Sequence, residues 1–255
     1  MNRLHREFPS LMEERISISA DTLSKSLRLI MAKLKIYTFP DLVLTQRAAP
    51  IARVEKSMYS IADDMLETMY DAPGIGLAAN QVGILQRVLV VDVDYDLEEL
   101  SDEELEEGFT HQPDVEVASR HIITNKKPLI IINPEIIYKE GKSSIAEGCL
   151  SVPEFRAEVP RFDKIKLRYQ GMDGLSHELS AEGLLSICLQ HEMDHLDGKL
   201  FIDRLSPLKK EMIKKKLKSE RKLREIEEAE MSQNQKNEAT PRSSAKKKQK
   251  KDFSE

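Results

Sequence analysis

The segment EGLLSICLQHEMDHLDGKLF, residues 182–201, constrains the fold of this chain more than any other segment. Its apolar residues recur at three- and four-residue intervals, which predicts a helix with one buried face, and Gly198 is positioned to cap its C-terminus. In such a helix His191 and His195 lie on one face, one turn apart, so both imidazoles can reach a single cation. A polar helix face without a metal has the same spacing, and this pattern alone leaves both interpretations open.

Other segments predict a second helix and several strands. Apolar residues between Val54 and Tyr70 also follow a helical period. The runs RVLVVDV and PLIIINPEIIY are rich in β-branched residues, which is typical of strands. The segment KIKLRYQGMDGLSHELSA predicts a hairpin that turns between Gly171 and Gly174.

Length and composition limit the classes of protein to which the chain can belong. The chain has 255 residues, enough for a sizeable core in one domain with extensions. It lacks an apolar stretch of roughly 18 residues, which argues against a membrane span. Its N-terminus lacks the continuous apolar region of a secretory signal peptide. The cysteines, Cys149 and Cys188, are too few for a disulfide scaffold. These features indicate a cytoplasmic protein that does not act at a membrane.

The chain divides into a globular part with three additions. Residues 1–30 are an N-terminal extension, either disordered or untranslated if Met31 is the true start. Residues 31–206 are predicted to form the globular domain, with an acidic, solvated insertion at 94–126. Residues 207–230 are predicted to form a charged C-terminal helix. Residues 231–255 are predicted to form a disordered, lysine-rich tail.

Charge is distributed unevenly between these parts. Residues 203–255 contain 17 basic and 10 acidic side chains, a net charge of +7 within a chain whose total is −5. The rest of the chain therefore carries −12. An acidic body with a basic tail is typical of proteins whose tail meets a polyanion. A solvated helix followed by disorder is the alternative interpretation.

Two histidines do not complete a metal site, and the sequence must supply a third ligand. No histidine follows closely in HLDGKLFIDRL, and Glu211 lies in the basic helix, where it is a poor ligand candidate. Cys188 lies within the apolar stripe of the helix, where a thiol packs well. Cys149 stands in the turn EGCLSVP and has no evident packing role. Two imidazoles and the Cys149 thiolate would leave a fourth position open for water, as in catalytic sites.

Three motifs together resemble the peptide deformylase family. GIGLAANQ (residues 74–81), EGCLS (residues 147–151) and QHEMDHLDG (residues 190–198) resemble the three motifs of that family and occur in the same order. The similarity covers residues 34–205. The first 30 residues, the insertion and the tail depart from a minimal family member, which affects partners and regulation rather than chemistry. We predict an α+β fold in which antiparallel β-sheets surround a central helix that carries the His-Glu-x-x-His motif, followed by a C-terminal helix.

The resemblance implies an enzyme that hydrolyses a linear amide. It would remove the N-formyl group from the N-terminal methionine of nascent polypeptides and release formate. A divalent metal ion held by Cys149, His191 and His195 would supply hydroxide from its bound water. Glu192 would act as general acid and base, taking the proton of the water and passing it to the departing amine.

The resemblance also assigns residues that would contact the substrate. The Gln81 side-chain amide and the Leu150 backbone N–H would stabilise the oxyanion, although Gln81 alone could be an ordinary turn or capping residue. Arg156 would meet the peptide backbone of the substrate, with a surface salt bridge as the alternative. The remaining candidates for substrate binding, some of which could simply be core, are Ile75, Gly76, Ile145, Leu184, Ile187 and Cys188.

The metal and the macromolecular partner are further expectations from the resemblance. It implies Fe(II) in the cell, while the ligand types also suit zinc, nickel or cobalt. Family members act at the ribosomal exit, so the basic C-terminal helix would dock on ribosomal RNA. The helix lacks the aromatic residues that stack on single-stranded bases, which argues against sequence-specific recognition of nucleic acid.

Two other classes of function fit parts of the sequence. A metallopeptidase of the His-Glu-x-x-His kind would cleave internal peptide bonds regardless of a formyl group. A ribosome-associated module could retain the metal for structure, without catalysis.

Overall fold

The computed structural model describes residues 33–99 and 121–238 of the chain. Within these ranges the helices are α1 (Ser57–Asp71), α2 (Gly183–Leu196) and α3 (Pro207–Glu238). The strands are β1 (Gly76–Ala78), β2 (Val88–Val91), β3 (Asp96–Glu99), β4 (His121–Thr124), β5 (Leu129–Glu140), β6 (Ser143–Cys149), β7 (Val152–Arg161), β8 (Lys164–Gln170) and β9 (Ser176–Glu182). Short 3-10 helices span Leu42–Thr45, Ala79–Val82 and Phe201–Arg204.

A five-stranded antiparallel sheet with the order β1-β2-β5-β8-β9 forms the centre of the molecule. Strand β2 is buried on both faces, and its side chains alternate between two hydrophobic clusters. Leu89 and Val91 point to one face, while Val88 and Val90 point to the other, because successive side chains of a strand project to opposite sides. A strand buried in this way needs an apolar layer on each face of the sheet.

The two layers are supplied by α2 and α1. Leu189 and Leu196 of α2 pack with Leu89 and Ile131 on one face of the sheet. The methionine-rich face of α1 packs on the other face, in the cluster that includes Leu77, Val88 and Val90. Each fully buried aliphatic side chain stabilises the fold by about 1.5–3 kcal/mol. The expected α+β fold, with antiparallel sheets around a central helix, is therefore confirmed.

A third cluster joins the β6–β7 hairpin to the C-terminal part of the domain. Val152 and Val159 of β7 pack with Phe201 and Ile202 of the last 3-10 helix and with Leu217 of α3. Leu217 is fully buried. The C-terminal helix is thus anchored to the domain by an apolar residue near its middle.

The sequence prediction ended the C-terminal helix too early. Helix α3 continues to Glu238, so residues 231–238 are helical and not part of a disordered tail. Neither glycine nor proline interrupts the segment after Pro207, which suits the first helical turn, until Pro241. The predictions for residues 1–30 and for the tail after residue 238 lie outside the described residues.

The acidic insertion is only partly described, and its two ends are more regular than the sequence suggested. Strands β3 and β4 pair in antiparallel register from Asp96↔Thr124 to Glu99↔His121. These strands form the stem of the insertion, where a loop was predicted. Ile123 of β4 packs against the cluster beneath α1, which supplies the apolar contact that orders the stem.

The hairpin predicted around Gly171 and Gly174 is confirmed by the pairing of β8 with β9. Gly198 follows α2 with a φ of 71°, and its N–H donates to the carbonyl of His195, as expected of a C-terminal cap. Across residues 33–99 and 121–238, no helix combines the length and apolar character needed to cross a bilayer.

Candidate metal centre

Helix α2 presents both histidines to the same point. His191 and His195 are buried, and their Nε2 atoms lie 3.2 Å apart. The four-residue spacing in a regular helix produces this convergence. Burial lowers the pKa of His195 well below its ordinary value, which keeps that imidazole in the neutral form that binds metals.

Cys149 reaches the histidines from the β6–β7 hairpin. It is the last residue of β6 and pairs with Val152 of β7, so the thiol is carried by a hairpin end rather than by an irregular loop. Cys149 Sγ lies 3.2 Å from His195 Nε2. The three candidate ligand atoms, Sγ and two imidazole nitrogens, all lie within 4.8 Å of one another.

The protonation pattern of this cluster fits a bound cation. His191 Nδ1 lies 2.7 Å from a carboxylate oxygen of Glu147, so it carries the proton and donates it there. In the neutral imidazole that a metal requires, this leaves the lone pair on His191 Nε2, which faces His195 and Cys149. A thiol and two imidazoles suit Zn²⁺, Fe²⁺, Co²⁺ and Ni²⁺ and leave a fourth position for water.

A buried ion-pair network lies behind the histidines. Arg161 donates to both carboxylate oxygens of Glu147, at 2.6 and 2.8 Å, and to Asp194 at 2.5 Å. Burial alone would raise the pKa of Glu147, but hydrogen bonds from Arg161 and His191 hold it below its ordinary value. Asp194 in turn accepts two hydrogen bonds from Arg204. The network fixes the imidazole of His191 from behind, as outer partners of metal ligands do.

Glu192 lies beside the cluster with one oxygen unpaired. Its side chain is buried, and burial raises the pKa of its carboxyl to about 7. Its Oε2 atom has no hydrogen-bond partner within residues 33–99 and 121–238. A Cβ built on Gly76 would lie 2.5 Å from Glu192 Oε1, so only glycine leaves room for this carboxylate. A carboxyl with this pKa can accept and return a proton at neutral pH.

Gln81 directs its amide nitrogen into the site. The Ala78 backbone N–H donates to Gln81 Oε1 at 2.8 Å, which fixes the orientation of the amide. Gln81 Nε2 then faces Ser151 Oγ at 3.3 Å and Cys149 Sγ at 3.7 Å. The residue therefore caps the 3-10 helix Ala79–Val82 and also offers a donor beside the thiol. Leu150, the other candidate oxyanion donor, lines the adjoining cavity.

A cavity of about 750 Å³ opens in front of these groups. All of the residues assigned to substrate binding line this cavity, namely Ile75, Gly76, Ile145, Arg156, Leu184, Ile187 and Cys188. Ile75, Ile145 and Leu184 expose apolar surface at its rim, while Ile187 and Cys188 are buried. Cys188 also belongs to the core cluster on α2, so its core and cavity roles coexist. Arg156 is exposed at the cavity and makes no ion pair with residues 33–99 or 121–238.

The sequence reasoning assigned no role to the ion-pair network. Glu147 and Asp194 lie within the quoted motifs, beside residues to which a role was assigned. Their charge in a buried segment was the signal by which the sequence could have identified them. Arg161 and Arg204 lie outside the motifs. Only the folded chain brings these two arginines to the back of the histidines.

The helix carries two candidate metal-binding histidines and an unpaired buried carboxylate, and the β6–β7 hairpin adds a thiol. An α+β domain with this arrangement is typical of a metal-dependent hydrolase. Residues 33–211 match the sequence model described as Polypeptide deformylase. A peptide deformylase of Alkalilimnicola ehrlichii is 46% identical over 187 residues, which cover 73% of this chain and 90% of that protein. One of Bartonella tribocorum is 42% identical over 195 residues, covering 76% and 96% respectively.

Solved structures agree with the sequence comparison. The crystal structure of a peptide deformylase from Legionella pneumophila aligns with a TM-score of 0.60 and 37% identity, covering 76% of this chain and 98% of that one. That of Ehrlichia chaffeensis, in complex with actinonin, aligns with a TM-score of 0.59 and 34% identity, covering 74% and 98%. The chain belongs to the polypeptide deformylase family, metal-dependent hydrolases that remove the N-formyl group from nascent polypeptides.

Proposed function

We propose that this chain deformylates the N-terminal methionine of nascent polypeptides, with Cys149, His191 and His195 as metal ligands and Glu192 as the proton carrier. The convergence of one thiol and two ring nitrogens beside an unpaired carboxylate oxygen carries the proposal. The reaction breaks the formyl C–N bond, adds water across it and yields formate and a free amino terminus.

Glu192 moves the proton in this proposal. A divalent metal in the ligand set supplies a water molecule of lowered pKa when it is bound. Glu192 takes a proton from that water through its unpaired Oε2 and returns it to the amine as the C–N bond breaks. Its pKa of about 7 makes both transfers accessible near neutral pH.

Gln81 and Leu150 stabilise the charge that develops on the formyl oxygen. Because Ala78 holds Gln81 Oε1, the amide nitrogen stays directed toward Cys149, where the carbonyl would lie. The Leu150 N–H is the second donor. Donors held in place before the reaction stabilise the oxyanion without reorganising.

The methionine side chain would occupy the apolar part of the cavity. Ile75, Ile145 and Leu184 form its exposed rim, with Ile187 and Cys188 deeper inside. An unbranched thioether fits such a surface well. Arg156, which is free of ion pairs with the described residues, is available to a carbonyl of the substrate. Ile75 and Gly76 would pair with the substrate backbone as a strand does.

One comparison of substrates separates the competing functions. The protein is incubated with formyl-Met-Ala-Ser and with the same peptide lacking the formyl group, and formate and internal cleavage products are measured. A deformylase releases formate from the first peptide alone. Internal cleavage of both peptides would support a metallopeptidase, and no turnover with the metal bound would support a structural module.

Two variants then test the roles separately. Glu192→Ala should retain the metal and lose activity by about 10²- to 10⁴-fold, since proton transfer is removed. Cys149→Ala should lose the metal itself. Normal turnover in the Glu192 variant contradicts the assigned role.

We propose Fe(II) as the metal in the cell, with zinc, nickel and cobalt able to bind. The thiolate and two imidazoles accept all four ions, and a thiolate beside iron makes an oxygen-sensitive site. Anaerobic reconstitution with each metal, followed by formate-release assays, tests this. Much lower activity of the zinc form than of the iron form is expected, and equal rates would refute the assignment.

We propose further that α3 docks this enzyme on ribosomal RNA. Lys215, Lys218 and Lys222 are exposed and make no hydrogen bond or ion pair with other described residues, so their ammonium groups are available to phosphates. Deleting residues 207–255 is a poor test, because it removes Leu217 from the third cluster. Charge reversal of the exposed lysines leaves that anchor intact.

The docking test compares two triple variants. Lys215, Lys218 and Lys222 are changed to Glu in one protein, and Lys56, Lys127 and Lys142 are changed to Glu in the matched control. The α3 variant should lose co-sedimentation with ribosomes at low salt and keep its activity on formyl-Met-Ala-Ser. Equal sedimentation of both variants would exclude docking through α3.

We infer a cytoplasmic location, where nascent formylated chains arise. Both cysteines are free thiols, which suits a reducing compartment. Cell fractionation with an antibody to the protein tests this inference.

A further inference from the structure

Residues 74–76, here called the strap, form one wall of the cavity. Contacts from other segments of the chain are needed to hold the strap in one conformation. Gly74 and Gly76 flank Ile75 on this segment, and all three line the cavity. Glycine loses more conformational freedom on folding than any other residue. The strap also leads into β1, which is the edge strand of the five-stranded sheet. A strap with two glycines at a sheet edge keeps one conformation only if its surroundings hold it.

On the inner side, the strap is held by the central helix and by Asp92, the residue that follows β2. Cys188 Sγ contacts the Ile75 carbonyl at 3.4 Å, and Gly76 packs directly on Glu192. The backbone N–H of Asp92 donates to the same Ile75 carbonyl at 3.0 Å. The Gly74 N–H donates to the Met69 carbonyl of α1 at 2.9 Å. These contacts hold Ile75, Gly76 and the amide of Gly74, and they leave the carbonyl of Gly74 to another partner.

That partner is Tyr95. Its hydroxyl donates to the Gly74 carbonyl at 3.1 Å. Burial, with the charge of Asp92, raises the pKa of Tyr95, so the hydroxyl keeps the proton that it donates. The ring of Tyr95 meets Tyr70 edge to face, with centroids 5.3 Å apart. Tyr70 is held in turn by a 2.6 Å hydrogen bond from its own hydroxyl to Asp92.

Tyr95 belongs to the insertion rather than to the motifs. It directly precedes β3, the first strand of the insertion stem. Lys127, on the other side of the stem, donates its backbone N–H to the Asp92 carboxylate at 2.7 Å. The base of the stem therefore contacts Asp92 and includes Tyr95, which bond the Ile75 and Gly74 carbonyls of the strap.

We propose that Tyr95 is a positioning residue for substrate binding, which holds the strap in the conformation that pairs with the peptide. The inference rests on the proposed deformylase function. Without the hydroxyl, the Gly74 carbonyl is released and the strap samples more conformations. Substrate binding must then order the strap, which weakens binding. The metal ligands, Glu192 and Gln81 are untouched, so the chemical step keeps its rate.

The test removes one hydroxyl and compares it with a matched removal elsewhere. Tyr95→Phe deletes the bond to Gly74. Tyr59→Phe deletes a similar bond, from Tyr59 to the Met172 carbonyl at 3.0 Å, which lies on the surface away from the cavity lining. Both variants are assayed with formyl-Met-Ala-Ser for kcat and KM, and their Tm values are measured.

Tyr95→Phe is expected to raise KM by about three- to tenfold, the effect of one lost hydrogen bond, with kcat within about twofold of wild type. Tyr59→Phe should leave both constants unchanged. A KM of Tyr95→Phe equal to that of wild type overturns the proposal. So does a fall in kcat without a rise in KM, or an equal KM change in both variants. If wild type itself releases no formate, the proposed function fails first, and that result is distinguishable.

Discussion

Glu147 holds the imidazole of His191 in a single tautomer by accepting its Nδ1 proton at 2.7 Å. Arg161 holds both oxygens of the same carboxylate, so the acceptor cannot rotate away. The lone pair of His191 Nε2 is thereby aimed at the cluster formed with His195 and Cys149. The β6–β7 hairpin carries both Glu147 and Cys149, so the hairpin that orients His191 also contributes the thiol.

Neutralising Glu147 should weaken metal binding. Glu147→Gln removes the charged acceptor of His191, and loss of such an outer partner lowers metal affinity by about 10- to 100-fold. Competition with a chelator of known affinity measures the change. Glu178→Gln, at an exposed carboxylate paired with Lys166, is the control and should bind metal as wild type does. An unaltered affinity in Glu147→Gln would show that the contact does not orient the ligand.

Replacing the amide of Gln81 by a carboxylate should slow the chemical step. Gln81→Glu keeps an oxygen to accept the Ala78 N–H but loses the donor directed at Cys149. Removal of one oxyanion donor lowers kcat by about 10²- to 10³-fold. Steady-state kinetics and metal content are measured together, with Gln86→Glu at an exposed neighbouring position as the control. A variant with full metal content and an undiminished kcat contradicts the oxyanion role.

A methyl group at residue 76 should disturb both stability and activity. The added Cβ of Gly76→Ala would meet Glu192 Oε1 at 2.5 Å and Cys188 Sγ at 2.8 Å. Overpacking of this kind destabilises by about 1–3 kcal/mol. Gly148→Ala, whose Cβ would meet nothing nearer than 3.6 Å, should lower Tm much less. Thermal denaturation curves of both variants measure the difference. Equal Tm values would show that a Cβ at residue 76 is not crowded by Glu192 and Cys188.

The attachment of α3 should depend on pH through Asp203. Burial alone would raise its pKa, but the Leu200 N–H and the ammonium groups of Lys210 and Lys214 lower it. A carboxylate with a lowered pKa stabilises the folded state fully above its unfolded pKa of about 4. The stabilisation is lost as the pH falls through the folded pKa.

Asp203→Asn tests this dependence. It should lower the free energy of unfolding by about 1.5 kcal/mol at pH 7, the lower end of the range for hydrogen bonds to a charged group, because Asp203 is only partly buried. The difference from wild type should shrink below pH of about 4, because wild type also loses the charge there. Urea unfolding at a series of pH values measures it. A difference that stays constant down to the lowest pH would argue against an ionic role.

Local patterns predicted the parts of the fold that depend on local geometry. The i, i+4 spacing of His191 and His195, the apolar stripe around them and the cap at Gly198 follow from the helical period. The same reasoning ended α3 too early because charged, weakly apolar residues resemble a tail, although no helix breaker precedes Pro241. The strands of the insertion stem were missed because their order depends on packing against a distant cluster.

The sequence by itself determined the type and spacing of the donors on α2, because residues four apart lie on the same face of any α-helix. Its three motifs, by resemblance, associated Cys149 and Gln81 with those histidines. Tertiary structure alone decided that Arg161 stands behind Glu147 and that Tyr95 reaches Gly74. Such contacts join segments far apart in the chain, and they depend on strand register and packing, which no local period encodes.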